Sequence, residues 1–213
     1  MKITAVKTIG LRWECPVMSD AMSVCRARQA LWIKIETDTE IYGIGEAFCY
    51  GSPLVIAKHI VEDQLVPAII GEDPENIELL WQRMYWRNVP NGRTGLVMGC
   101  ISGIDIALWD ILGKAAKMPV SKLLGAHSDR VPAYASGGFY APGKDLDGLK
   151  KEVEGYLKKG YQDVKIKIGR NPEIAGNAVN YTASTEFAVS NDEDIRRIAA
   201  TRELVGPRGR VAA

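Results

Sequence analysis

The sequence predicts an α+β domain followed by the beginning of a parallel α/β domain. Three observations predict it. Apolar and polar residues alternate in short runs over the first fifty residues, and helical patterns fill the chain from there to about residue 125. Beyond residue 128, short strand and helix patterns alternate regularly, which is typical of parallel sheets covered by helices. We therefore place two domains at 1–127 and 128–213.

The first domain begins with three predicted strands, at 2–13, 29–38 and 41–48. Thr39 and Glu40 fill the short turn between the second and third strands, which predicts a hairpin. Three strands joined by tight connections indicate a small antiparallel meander.

Helices are predicted at 53–65, 75–87 and 94–117. The last is apolar over more than half of its circumference, which predicts burial. Gly43 and Gly45 begin a dinucleotide-type fingerprint, but its third glycine and its strand–turn–helix context are missing, so we reject nucleotide binding. We expect these glycines to permit a close backbone approach instead.

The second domain is expected to be incomplete. A closed (β/α)8 barrel needs roughly 250 residues, far more than the chain provides after residue 130. Two strands and part of a third would leave open edges, which proteins normally avoid, so we expect a fragment. The predicted elements are strands at 131–136, 163–168 and from Arg210, and helices at 145–159 and 191–204.

Composition excludes several classes of function. The 27 basic and 26 acidic side chains give a net charge of +1, so no large field of one sign is available for nucleic acid or an anionic membrane. The first residues lack the apolar core of a signal peptide, and no apolar run approaches the ~18 residues of a membrane span. We expect a cytoplasmic protein. The sequence has no zinc-type cysteine pair, GxSxG elbow or P-loop.

The most informative short stretch is Lys165-Ile166-Lys167. Alternate strand residues share a face, so the two lysines lie ~7 Å apart. At that distance two ammonium groups repel by about 2.4 kcal/mol at an effective dielectric near 20. This is close to two pKa units, enough to make one lysine a base. Lysines on an arbitrary strand usually face solvent, but a parallel α/β strand has one face on helices and one in the barrel.

Five segments follow one another along nearly the whole chain: YGIGEA (42–47), VPAIIGEDPENIELLWQRMY (66–85), SGIDIALWDILGKAAKMPVSKLLG (102–125), VPAYAS (131–136) and GYQDVKIKIG (160–169). Together and in this order they resemble the mandelate racemase and muconate lactonizing enzyme family of the enolase superfamily. They match its G-x-GE strand end, its proline-containing helix entry, its long A-L-W-D helix, its first barrel strand and its K-x-K strand.

The resemblance implies an α+β capping domain followed by an incomplete (β/α)8 barrel. It implies that a base removes the proton α to a carboxylate while Mg²⁺ offsets the charge that develops. Lys167 matches the general base, and Lys165 matches the lysine beside the substrate carboxylate. Ser136 matches a position that contacts substrate in some members.

The resemblance also implies that two capping-domain loops, 15–28 and 48–53, close over the substrate. Arg26 and Tyr50 in these loops are candidate substrate-binding residues. The family's three acidic metal ligands are expected just beyond Ala213, so no metal ligand is assigned in this chain and the chain alone is expected to be inactive. The long segment 170–190 is expected to reach the mouth of the site, where it would affect substrate choice.

The leading functional prediction is an enzyme acting on a hydroxy-carboxylate, with sugar acids as the best candidates. Dehydration stands slightly ahead of racemisation or lactone cycloisomerisation, and a dipeptide epimerase or muconate-type cycloisomerase is the next alternative. The rival from another class is a non-catalytic truncated fragment or interaction module that lacks the metal site. By resemblance we also expect a homo-oligomer.

Overall fold

The computed structural model describes residues 1–171 and 186–213. The chain forms two compact units. The first comprises Met1–Trp13 with Arg28–Asp129, and the second comprises Glu14–Ala27 with Arg130–Ala213. The domain boundary at 127/128 stays a prediction. The packing adds a feature that the sequence did not indicate, because residues 14–27 belong to the second unit.

The antiparallel sheet has the strand order β1-β2-β3 and confirms the predicted meander. Its strands are β1 (Ile3–Ser19), β2 (Val24–Thr37) and β3 (Tyr42–Ala47). The β2–β3 register runs from Leu31 opposite Ala47 to Glu36 opposite Tyr42. Burial alternates strictly along β3, as expected for a sheet with one face on the core.

The helices of the first unit cover that buried face. The predicted helix at 53–65 begins as an α-helix and continues as a π-helical turn, and the longest predicted helix is confirmed with ends within two residues. The bounds are α1 (Leu54–His59), a π-helical turn (Ile60–Leu65), a 3-10 turn (Val66–Ala68), α2 (Ile77–Asn88), a second 3-10 turn (Val89–Asn91), α3 (Leu96–Ala115) and α4 (Val120–Leu123).

Backbone contact between β3 and α3 fixes the core of this unit. A Cβ atom on Gly43 would lie 1.9 Å from the carbonyl oxygen of Ala107, and one on Gly45 would lie 2.0 Å from that of Gly103. The expected close approach is therefore observed. In the described ranges, α3 alone is long and apolar enough to cross a membrane, and 56% of that stretch is buried within the protein. Its core position accounts for its composition.

The second unit contains a parallel sheet with the order β4-β5-β6. Strand and helix alternate along the chain as predicted, although the strands are shorter than expected. Ahead of β4, in the part of the predicted strand that does not form, Val131 is 83% exposed and Pro132 has no amide hydrogen to donate to a ladder. The elements are β4 (Ala135–Ser136), α5 (Leu146–Lys158), β5 (Val164–Lys165), α6 (Asn191–Val205) and β6 (Val211–Ala212).

Segment 15–28 was expected to be a loop, and that expectation is wrong. Most of it is strand, because β1 continues to Ser19 and β2 resumes at Val24. The turn between them is closed by the Asp20 amide, which donates to the Ser23 carbonyl oxygen at 3.1 Å. The Asp20 carboxylate accepts from the amides of Met22 and Ser23 at 2.9 and 2.8 Å. This side chain satisfies the turn in the way typical of aspartate.

Candidate active site

Lys165 and Lys167 point away from the helices of the second unit. The residues that alternate with them, Val164 and Ile166, are buried in a core that includes Leu149 and Val153 of α5. Since successive side chains of an extended strand alternate between faces, the two lysines share the opposite face. Both are partly buried.

The Lys167 ammonium lies beside Ser136 at the end of β4. Its Nζ is 3.5 Å from the Ser136 Oγ, a long and weak contact. It also lies 5.2 Å from the centroid of the Phe139 ring, within the range of a cation–π interaction. Ser136 is the register partner of Lys165. The structure thus brings together three of the five predicted site residues: Ser136, Lys165 and Lys167.

The environment of Lys167 lowers the pKa of its ammonium group. Burial lowers the pKa of its ammonium group, the positive charge of Lys165 lowers it further, and the Asp20 carboxylate opposes both effects. These are the two causes considered from the sequence, desolvation and a second lysine. Asp20 can raise the pKa of Lys167 because it lies in the 14–27 hairpin, which belongs to the same unit as Lys167.

Two glycines after Ser136 shape the edge of the site. A Cβ atom on Gly137 would lie 2.1 Å from the Tyr156 hydroxyl, and one on Gly138 would lie 2.6 Å from the Ile166 Cβ. Gly138 also has a φ of +63°, a conformation that glycine adopts without strain. Sequence reasoning missed this pair, although two adjacent glycines at the end of a barrel strand could have signalled it.

Glu152 of α5 holds this glycine turn in place. Its Oε1 accepts from the Gly138 amide at 3.2 Å and from the Tyr156 hydroxyl at 2.6 Å, and its Oε2 pairs with Lys144. Burial opposes ionisation of Glu152, but the hydrogen bonds from Lys144 and Tyr156 outweigh it and lower the pKa of the carboxyl. An ionised carboxylate therefore anchors the backbone next to Ser136.

Arg197 of α6 crosses beneath the ends of β4 and β5. Its side chain is almost fully buried, and its Nη2 donates to the carbonyl oxygens of Gly138 at 2.6 Å and Lys167 at 3.4 Å. Its charge is balanced by Asp194, whose Oδ1 lies 3.6 Å from Nε. A buried charge with a carboxylate partner and carbonyl acceptors is stable where an isolated one would not be.

Asp194 extends the same network to the residues that follow Lys167. Its carboxylate accepts from the Tyr140 hydroxyl at 2.7 Å and from the Gly169 amide at 2.8 Å. Burial and this bond to Asp194 raise the pKa of Tyr140, so the phenol stays protonated. The Tyr140 backbone forms an antiparallel bridge with Ser19, which connects the network to the hairpin.

Arg170 is a second buried arginine that contacts the hairpin. Its Nη1 donates to the Asp20 carbonyl oxygen at 3.0 Å and its Nε donates to the Glu186 carbonyl oxygen at 2.7 Å. The Glu186 carboxylate in turn pairs with Arg26, with Nη2 at 2.7 and 2.6 Å from the two oxygens. Arg26, a candidate substrate ligand, is therefore ion-paired in this structure.

Tyr50 lies in the first unit, where its ring stacks with that of Phe48 at a centroid separation of 6.4 Å. Its side chain is 66% exposed. Its role in substrate binding stays a prediction. Most of segment 170–190, predicted to affect substrate choice, falls at 172–185, outside the described residues.

The resemblance implies a bound Mg²⁺ ion, but the part of the chain that the structure describes contains no set of side chains that could ligate it. No group of three or more His, Cys, Asp or Glu side chains lies in a position to hold a metal there. The cationic Lys165–Lys167 pair is also unsuited to a divalent cation.

The comparisons with known proteins agree with the fold. Residues 3–125 match the family model for the N-terminal domain of mandelate racemase / muconate lactonizing enzymes. An arabinonate dehydratase from Saccharolobus solfataricus is 40% identical over 179 residues, which cover 84% of this chain and 43% of the relative.

Solved structures give the same result. A member of the enolase superfamily from Polaromonas sp. JS666 matches 97% of this chain with a TM-score of 0.77 and 32% identity, and the match covers 50% of that structure. The 3,6-anhydro-D-galactonate cycloisomerase from Zobellia galactanivorans matches 99% of this chain and 50% of its own, with a TM-score of 0.74 and 29% identity. The chain spans about half the length of the proteins it matches. With its α+β capping fold and the first strands of a (β/α)8 barrel, the chain belongs to the mandelate racemase / muconate lactonizing enzyme family of the enolase superfamily.

Proposed function

We propose that this chain forms part of an enzyme that removes the proton α to the carboxylate of a sugar acid, with Lys167 as the base. The observation that carries the proposal is the pair of partly buried lysines on the helix-free face of β5, one of which has a lowered pKa. A base that works near neutral pH needs this shift, because an ordinary lysine is almost fully protonated there.

In the proposed step, the neutral Lys167 amine takes the proton from the α-carbon. The C–H bond breaks, an N–H bond forms, and the electron pair delocalises into the carboxylate as an enediolate. In a dehydration, a β-hydroxyl group then leaves as water after it receives a proton from a general acid. The resulting enol tautomerises to a 2-oxo acid. In a racemisation, a proton returns to the opposite face of the same carbon.

Lys165 would stay cationic and face the substrate carboxylate. Its charge would stabilise the enediolate, where negative charge increases during the reaction. The Ser136 hydroxyl, 3.5 Å from the Lys167 amine, would donate to a carboxylate oxygen. Arg26 and Tyr50 are proposed as further substrate contacts, and Arg26 would have to exchange its Glu186 partner for the substrate.

Mg²⁺ would add concentrated positive charge beside the carboxylate in the whole enzyme. Because the described residues contain no ligand set for it, the proposal requires metal ligands that the described part of this chain does not supply. The 213-residue chain alone is therefore proposed to be inactive. A cytoplasmic location, homo-oligomerisation and the absence of nucleic acid or membrane partners remain proposals.

Sugar-acid dehydration is preferred because the relative that is 40% identical is named an arabinonate dehydratase. Cycloisomerisation is the alternative chemistry, since one matching structure is a 3,6-anhydro-D-galactonate cycloisomerase. A non-catalytic fragment or interaction module is the alternative from a different class. The same experiment separates all three.

The chain is expressed together with the coding sequence that follows Ala213, and the purified protein is supplied with Mg²⁺. It is then incubated in D₂O with a panel of pentonates and hexonates. NMR detects deuterium at the α-carbon of recovered or racemised substrate and at C3 of a 2-oxo product, and a carbonyl reagent detects 2-oxo acids. Lys167→Met should reduce both signals by a factor of about 10² to 10⁴, whereas Lys151→Met, an exposed lysine on α5, should leave them unchanged.

Undiminished α-proton exchange in Lys167→Met would refute the assignment of the base. An isomeric product other than the α-epimer, formed without loss of water, would favour the cycloisomerase. A natural reading frame that ends at Ala213, with no turnover of any sugar acid, would favour the non-catalytic alternative.

A further inference from the structure

Two cysteine side chains meet across the hairpin formed by the end of β1 and the start of β2. The Cys15 Sγ lies 3.7 Å from the Cys25 Sγ. A disulfide requires ~2.05 Å between sulfurs, so the two sulfurs would have to approach by about 1.7 Å to form one. Neither sulfur is in a disulfide in this structure.

The two sulfurs differ in access. Cys15 is 7% exposed, whereas Cys25 is partly exposed. The Cys25 thiol also lies 3.4 Å from the Ala27 carbonyl oxygen, to which it donates. A reagent in solution would therefore reach Cys25 first, with Cys15 positioned behind it as the second sulfur.

We propose that Cys15 and Cys25 form a thiol–disulfide exchange site whose co-reactant is a low-molecular-weight disulfide such as oxidised glutathione. The Cys25 thiolate attacks one sulfur of the reagent, which forms a mixed disulfide and releases one thiol. The Cys15 thiolate then attacks the Cys25 sulfur and releases the second thiol. Two protein thiols are oxidised, and one small disulfide is reduced to two thiols.

The bond would close the segment that contacts the rest of the second unit. Between the two cysteines lie Ser19, which bridges to Tyr140, and Asp20, whose carbonyl oxygen accepts from Arg170. Closing this loop would restrict the unfolded forms of the hairpin. The amides of Met22 and Ser23, both bound by the Asp20 carboxylate, should then exchange with solvent more slowly.

The remaining cysteines provide internal controls. Cys49 and Cys100 are buried in the first unit. Burial raises the pKa of both thiols, that of Cys100 to about 12. Few thiolates are available at these positions near neutral pH, so they should remain thiols under the same treatment.

The test uses the protein expressed together with the coding sequence that follows Ala213, and it requires no enzymatic activity. Both cysteines fall in one tryptic peptide, residues 13–26, which contains no lysine and no arginine before Arg26. The chain is treated with oxidised glutathione, denatured in iodoacetamide, digested and weighed. We expect this peptide to be lighter by two hydrogen atoms and to carry no alkyl group. After dithiothreitol it should carry two.

Matched variants make the result specific. Cys15→Ser should retain glutathione on Cys25, whereas Cys49→Ser should still form the disulfide. In the wild type, the bond should form about tenfold faster in the folded chain than in urea, because the fold holds the sulfurs together. Equal rates in both states, or two alkylated thiols in peptide 13–26 after oxidation of the folded chain, would overturn the proposal.

Discussion

Arg197 of α6 donates from its Nη2 to the carbonyl oxygen of Gly138 at 2.6 Å. The same nitrogen lies 3.4 Å from the carbonyl oxygen of Lys167. One buried guanidinium therefore contacts the backbone at the ends of two adjacent strands, β4 and β5. These strand ends carry Ser136 and Lys167, so the separation of the two side chains depends on a residue that touches neither of them.

Replacement of Arg197 by methionine should loosen these strand ends. It would leave the Asp194 carboxylate buried without its cation, which typically costs about 3 kcal/mol or more. Amide hydrogen exchange in residues 163–171 should then accelerate by about a hundredfold. Arg196→Met is the control, because Arg196 is exposed and its ion pair with Glu193 contributes little. Equal exchange in both variants would contradict this role.

Lys165 and Asp20 should shift the pKa of Lys167 in opposite directions. Lys165→Met removes a charge that lowers this pKa, so the value should rise toward that of an ordinary lysine. Asp20→Asn removes the opposing carboxylate, so the value should fall further. Asparagine retains an oxygen that can accept from the turn amides. NMR titration of the lysine side chains measures both shifts, and shifts of the same sign would exclude this electrostatic account.

Lys167→Met should leave the fold as stable as the wild type or stabilise it. Because the pKa of Lys167 is lower in the folded protein than in the unfolded chain, its protonation favours the unfolded state. This cost is fully present below the folded pKa and disappears as the pH rises above the unfolded value. Urea unfolding at pH 7 and pH 11 measures it. A variant that is less stable at pH 7 would argue against desolvation of the ammonium.

Gly45→Ala should destabilise the first unit by about 3 kcal/mol or more, because its Cβ would lie 2.0 Å from a backbone carbonyl oxygen of α3. Gly155→Ala on α5 is the control. A Cβ at that position meets no atom within 4 Å, so the alanine should stabilise its helix by about 0.5–1 kcal/mol. Thermal unfolding of both variants tests the pair, and a neutral Gly45→Ala would show that α3 can move away from β3.

The K-x-K pair was identifiable from sequence because a strand needs only its period to place Lys165 and Lys167 on one face. The same holds for the meander and for α3, whose patterns are local. The 14–27 hairpin was missed although β1 and β2 pair locally across the Asp20 turn. Its place in the second unit depends on a partner distant in sequence, because Ser19 pairs with Tyr140. Local propensity does not contain this information.

The buried arginines were missed for a related reason. Arg170 and Arg197 look like surface residues, since arginine is rarely buried unless it is paired. Their acceptors are mostly backbone carbonyl oxygens, which are invisible in an amino-acid pattern. Asp194, three residues before Arg197, could equally have been an ordinary helix-surface partner.

The contact at the start of α3 limits how far Tyr50 can travel. A Cβ atom on Gly99 would lie 2.2 Å from the carbonyl oxygen of Phe48, so the main chain rests directly on the helix at that point. Tyr50 follows two residues later, and two residues of extended chain reach at most ~7 Å. If the 48–53 segment changes conformation while Phe48 stays packed on α3, the Cα atom of Tyr50 therefore remains within ~7 Å of the Cα atom of Phe48.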